Sequence, residues 1–93
     1  MKWEDNTSYR QGESRSKVEP RSWRLGKEHR AGIMVHRHTA VPGTWFLTCY
    51  DLGIEQHDLS NTDLEKAKVE ALAYVQKKIQ AMVKYYKNLG VAL

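Results

Sequence analysis

Residues 32–52, GIMVHRHTAVPGTWFLTCYDL, constrain how the rest of the chain can be arranged. Two runs rich in β-branched, aromatic and other apolar residues, GIMVHRHT (32–39) and TWFLTCYDL (44–52), flank the pentapeptide AVPGT (40–44). Runs of this composition pack well on a pleated surface. Between them, Pro42 suits a backbone φ near −65° and Gly43 suits a positive φ, the pairing that a type II turn requires. The stretch therefore predicts a β-hairpin. Side chains alternate along a strand, so one face of this hairpin carries Ile33, Val35, Arg37, Trp45, Leu47 and Cys49. The other carries Met34, His36, His38, Phe46, Thr48 and Tyr50. A sheet with one wet face alternates apolar with polar residues more cleanly than this. The second face is thus expected to be covered part of the time, or to offer its aromatic rings to a ligand.

Upstream of the hairpin, RSWRL (21–25) predicts a short strand with Trp23 and Leu25 on one side, and GKEHRAG (26–32) a turn. Downstream, Asp51-Leu52-Gly53 predicts a tight turn. IEQHDL (54–59) is shorter and more polar, either an edge strand or an irregular lead-in to a helix. That helix is long and amphipathic, over about 62–89. Its apolar positions, Leu64, Ala67, Ala71, Val75, Ile79, Met82, Tyr86 and Leu89, step by three or four, and Leu72 and Val83 widen the stripe. Two N-terminal signals overlap: Ser60 with Asp63 and a Leu59/Leu64 staple, or Thr62 with Glu65 as a capping box. Asp63 and Glu65 at one end and Lys84 and Lys87 at the other suit the helix dipole, and Gly90 supplies the stop.

Such a helix is about 42 Å long at 1.5 Å per residue, whereas a seven-residue strand spans about 23 Å. Its last turns, AMVKYYKNL (81–89), therefore run past the sheet with Met82, Val83, Tyr85, Tyr86 and Leu89 uncovered. The preferred cover is a second copy in an antiparallel pair, which makes a homodimer through the distal helix the expectation. The alternative is that the N-terminal stretch folds back over it, anchored by Trp3 or Tyr9.

That stretch, MKWEDNTSYRQGESRSKVEP (1–20), has no apolar period and reads as a flexible basic arm ahead of a single domain over 21–93. The expected fold class is α+β: a three- or four-stranded antiparallel meander packed on one long C-terminal α-helix. Nothing in the chain has the central apolar region of a secretory signal or the roughly 18 apolar residues of a membrane span. With a single cysteine, the expectation is a cytoplasmic protein without a disulfide framework and without membrane contact. The formal net charge of +4 hides a segregation of charge. Residues 43–65 hold five acids and no Lys or Arg, and both flanks are basic.

Candidate chemistry is sparse. His36 and His38 share a strand face, and Cys49 and His57 are conceivable further metal ligands. In register, however, Cys49 falls on the opposite face from the two histidines, and no CxxC or HxxxH spacing is present, so no metal is expected. Cys49 lies in an apolar strand, an unfavourable setting for a nucleophilic thiol. Asp63 and Glu65 are accounted for by helix capping, and the remaining acids of the middle segment suit a solvated edge. The expectation is a non-catalytic binding protein without a cofactor.

Two binding modes suit that description. In the first, Arg10, Arg15, Lys17, Arg21, Arg24 and Arg30 track the phosphates of DNA or RNA while His36, Arg37, His38, Phe46 and Tyr50 meet the bases. In the second, the chain is a protein–protein interaction module, a dimeric inhibitor or adaptor, acting through its sheet face or through the acidic edge of Asp51, Glu55 and Asp58.

Three strands followed by a helix, with a strand ending before TDLEKAKVEALAYV (62–75), resemble in topology the DNA-binding domains of plant AP2 factors and integrase arm-binding domains. The resemblance covers about residues 31–78. It implies DNA reading by Arg and Trp on the sheet, which here means Arg37 and Trp45. Size and composition also resemble small accessory proteins of phages and mobile elements.

Overall fold

The computed structural model describes residues 2–14, 16–26, 32–37 and 43–93. Five strands, β1 (Glu4–Asp5), β2 (Ser22–Leu25), β3 (Ile33–Arg37), β4 (Trp45–Cys49) and β5 (Ile54–Asp58), form one sheet in the order β1-β2-β3-β4-β5. Each pairs antiparallel with its neighbour, giving an uninterrupted meander. A single helix, α1 (Leu64–Asn88), comes after β5. The architecture is α+β, with five strands where three or four were expected.

The additional strand comes from the stretch expected to be a flexible arm. Glu4 and Asp5 pair with Arg24 and Trp23, and the Thr7 hydroxyl accepts from the backbone N–H of Arg21 at 2.8 Å. Trp3 packs against the core. The pairing depends on these contacts across the chain, because two residues of strand have no stability of their own.

Cross-strand partners Trp23–Val35–Leu47 and His36–Phe46 place the hairpin faces where alternation predicts them. The turn at 40–42 lies outside the described residues, as does 27–31. Gly43, at φ 80°, has the positive φ expected of it. Gly32, at φ 63°, closes the β2–β3 connection so tightly that a Cβ there would fall 1.4 Å from the Gly26 carbonyl oxygen. Between β4 and β5 the register slips: Leu47 faces His57, whereas Cys49 faces Ile54. The extra residue of this bulge is accommodated by Gln56, which takes φ 47°, a left-handed conformation uncommon outside glycine. The Gln56 N–H donates to the Thr48 hydroxyl at 3.3 Å.

The core lies between one sheet face and the first half of α1. Val35 and Leu47 are completely buried. Trp45, Cys49, Ile54 and Leu59 surround them, with Ala67, Ala71 and Val75 from the helix. The small side chains at 67 and 71 bring the helix backbone close to the sheet, and the Trp45 indole N–H donates to the Thr62 carbonyl at 3.1 Å. Lys68, a charged residue beside the apolar stripe, is also buried. Its ammonium sits 4.4 Å from the centre of the Trp23 ring and 5.6 Å from that of Trp3, and 3.3 Å from a Glu65 carboxylate oxygen.

The helix begins later than expected because Asp63 is its cap, not Ser60 or Thr62. The Asp63 carboxylate accepts from Lys66 N–H. Ser60 and Asn61 are committed elsewhere. The backbone N–H groups of both, the Ser60 hydroxyl and the Asn61 amide all donate to the Glu70 carboxylate, at 2.7–3.1 Å. Burial works to raise the Glu70 pKa, but these donors outweigh it and hold the carboxyl below its ordinary value. At the other end, Gly90 at φ 97° bonds back to Lys87.

Val75 is the last buried residue of α1. Thirteen more helical residues follow, about 20 Å at 1.5 Å each, and they carry the molecule to 54 Å in its longest dimension against 26 and 21 Å. No helix among the described residues is long and apolar enough to cross a membrane.

Candidate binding surface

The sheet face turned away from α1 carries two cross-strand rows. One runs Ser22, His36, Phe46, Asp58, and the other Glu4, Arg24, Met34, Thr48. Met34 and Thr48 are buried, so this face is partly closed without the helix. Asn6 contributes to the closure, its amide 3.9 Å from the Met34 sulfur. His36 stacks on Phe46 with ring centres 5.1 Å apart, and its Nδ1 lies 3.0 Å from the Ser22 hydroxyl. Burial pushes the His36 pKa below 6.5, so the ring is predominantly neutral at pH 7.

Beside this stack lies an open groove of about 580 Å³, lined by His36, Phe46, Thr48, Tyr50, Glu55 and Gln56. The bulge at Gln56 shapes its floor. Tyr50, half exposed, forms one wall. Glu55 is the charged lining residue, and Asp51 and Asp58 are exposed on the same turn and strand. The groove therefore combines aromatic faces with negative charge. It suits a cation, through ring quadrupole and carboxylate together.

The basic residues expected to track a phosphate backbone are arranged differently. Arg21 donates to Glu13 at 3.1 Å and to the Ser8 carbonyl at 3.1 Å. The Glu13 pKa is lowered by the Arg10 N–H it accepts and then by Arg21. Arg37 lies 3.7 Å from Glu19. Arg24 stands on the open face across from Glu4. Arg10 and Lys17 are exposed, and Arg15, Arg30 and His38 lie outside the described residues. Two of the arginines thus hold the N-terminal stretch against the sheet, a role that arginine content could not reveal.

The implied DNA-reading pair is not assembled on the open face. Trp45 is 7% exposed and points toward the helix. Cys49 is buried on that same helix side, and burial raises its thiol pKa. His57 also turns that way and stacks on Tyr74, ring centres 3.9 Å apart. Cys49 and His36 therefore lie on opposite faces, and among the described residues no three His, Cys, Asp or Glu side chains converge to hold a metal ion.

The second surface is the distal helix. Ile79, Tyr85, Tyr86 and Leu89 are 45%, 59%, 44% and 62% exposed. Met82 and Val83 are half-buried. The helix does receive a cover from the N-terminal stretch, but at Lys68, where Trp3 lies, one half-helix away from these residues. Comparison with known proteins returns no matching family model, no matching curated protein and no matching solved structure.

Proposed function

We propose that this chain is a non-catalytic protein–protein interaction module, self-associating through its distal helix and docking a basic segment of another protein in the open-face groove. The observation that carries the docking half of this reading is the chemistry of the groove: aromatic walls at Phe46 and Tyr50, a neutral His36, and a carboxylate at Glu55. An arginine or lysine side chain entering it meets a ring face and a counter-charge together. The acidic residues Asp51 and Asp58 steer such a segment toward the groove from a distance.

The same groove repels a phosphate backbone, which is why the nucleic-acid reading ranks second. That reading is supported by the His36–Phe46 stack and the exposed Tyr50, on which bases stack well. Against it, Arg21 and Arg37 already face Glu13 and Glu19. A role as an inhibitor or adaptor, whether in a phage, a mobile element or a cytoplasmic setting, is the biological form that the docking reading takes.

The test is a pair of titrations of the full chain. A short arginine-bearing peptide is expected to shift the NMR signals of His36, Phe46, Tyr50 and Gln56, and Glu55→Lys to abolish the shift. Labelled single- and double-stranded oligonucleotides are expected to bind weakly. Oligonucleotide binding that falls steeply with salt, weakens when the exposed Arg10 and Lys17 are replaced by glutamine and survives Glu55→Lys overturns the proposal in favour of nucleic acid.

A further inference from the structure

From the spacing and facing of the side chains on α1, we infer that the distal helix forms a two-stranded, antiparallel coiled coil with a second copy of this chain. This rests on the self-association included in the proposed function and specifies its geometry. Beginning inside the helix, Leu72, Val75, Ile79, Met82, Tyr86 and Leu89 recur at alternating intervals of three and four residues. That is the a/d pattern of a heptad seam. Val75 is the last of the helix's buried residues, and beyond it Ile79, Tyr86 and Leu89 are 45%, 44% and 62% exposed, with Met82 half-buried between them.

The lysines fit this seam. Lys77 and Lys84 occupy the position farthest from it, and Lys87 also lies on the outer side. Only Lys78 flanks the seam. In an antiparallel pair, flanking positions of one kind meet their own kind. With the two-fold axis between Val83 and Tyr85, Val83 approaches its own counterpart, Tyr85 does the same, and Lys78 meets the region after Gly90. No lysine faces a lysine, so a strongly basic helix can pair with itself without like charges in contact.

Orientation is set by the sheet. At 100° per residue, Ala67, Ala71 and Val75, which rest on the sheet, point to nearly the same side as Ile79, Met82 and Tyr86. A parallel partner on that side, extended back along α1, runs into the volume that the sheet occupies. An antiparallel partner does not, because its helix enters from the free end and stops where the sheet begins. The helix dipoles then oppose each other, which is also favourable. Covering the exposed parts of the seam and of Tyr85 removes roughly 1,200 Å² from water per dimer, at the lower end of stable interfaces.

Sedimentation equilibrium of the full chain from about 5 to about 200 μM is expected to show a monomer–dimer equilibrium. The double substitution Met82→Glu and Tyr86→Glu is expected to weaken it at least ~100-fold, with tryptophan fluorescence unchanged because neither residue belongs to the core. A nitroxide at Lys66→Cys, an exposed position, reads orientation. Two such labels lie about 50 Å apart in the antiparallel pair, from 1.5 Å per residue over twice the distance to the axis, and under about 25 Å in a parallel one. A monomer at the highest concentration, an oligomer above two, or the short distance overturns the inference. A monomer also removes the self-associating half of the proposed function, whereas a higher oligomer or the short distance leaves it standing and overturns only this geometry; the groove titration with Glu55→Lys is read separately in every case.

Discussion

Val75 and Ile79 stand one helical turn apart on the same stripe, and the structure assigns them opposite energetic roles. Val75 is 6% exposed and closes the core, whereas Ile79 is 45% exposed. Truncating Val75 to alanine removes two buried carbon atoms at about 0.8 kcal/mol each, plus a cavity contribution of up to ~1 kcal/mol. Alanine's better helix propensity returns about 0.5 kcal/mol. The net expectation for Val75→Ala is about 2 kcal/mol of lost stability, a fall in Tm of roughly 8–16 °C in a domain of this size. Ile79→Ala loses no contact with its own core and gains a similar amount in propensity, so in the monomer it is neutral within about 0.5 kcal/mol. Urea unfolding monitored by tryptophan fluorescence at low and high protein concentration separates the two. Val75→Ala lowers the midpoint at both concentrations. Ile79→Ala lowers it only at the high one, where the dimer contributes by mass action. Equal destabilisation by both substitutions at low concentration would mean that the core extends past Val75, and the projecting half-helix would not exist as an independent surface.

Three further outcomes concern other parts of the fold. Lys68→Ala, which removes the stem packed between Trp3 and Trp23, is expected to cost about 2 kcal/mol, whereas Lys68→Met, which keeps the stem and exchanges the cation–π contact for a sulfur–aromatic one, stays within about 1 kcal/mol of wild type in thermal unfolding. Gly32→Ala sets a Cβ against the Gly26 carbonyl at a positive φ, and its Tm is expected to fall by well over 10 °C, since a cost of at least ~2 kcal/mol combines clash and strain. The His36 pKa is depressed in the folded chain, so the unfolded chain binds more protons at mildly acid pH. Stability from this residue is complete above the ordinary value of 6.5 and declines as pH falls from there toward the folded pKa. His36→Phe flattens that part of the stability profile, and an unchanged slope refutes the assignment.

The hairpin and the helix were legible because each is governed by a local period. Alternation along 33–37 and 45–49 sorted Val35, Trp45, Leu47 and Cys49 from Met34, His36, Phe46 and Thr48 without any knowledge of neighbours. The helix stripe and its length against the sheet announced an overhang. The features that escaped depend on partners distant in sequence. β1 exists because Trp3 finds Lys68 and because Thr7 reaches Arg21 and Ser22, and no window of twenty residues contains all those pairs. Asp63 displaced Ser60 and Thr62 as the cap because Glu70, a full turn and a half into the helix, claims Ser60 and Asn61. The groove escaped for a different reason. Its aromatic and acidic linings were visible as a sheet face and as an edge, but joining them requires the bulge at Gln56, and a single added residue between two strands leaves no compositional trace.

The ammonium of Lys68, held between two indoles, supplies the molecule with its own gauge of breathing. Acylating reagents reach the exposed Lys66, Lys77, Lys78, Lys84 and Lys87 at once, but they reach Lys68 only in the moments when the helix lifts and the N-terminal tryptophan swings away. Its labelling rate, divided by that of a solvent-facing neighbour such as Lys66, therefore measures the population of the opened form directly. Mass spectrometry of one peptide then reports, inside a cell extract as readily as in buffer, how firmly the first and last segments of the chain are clasped together.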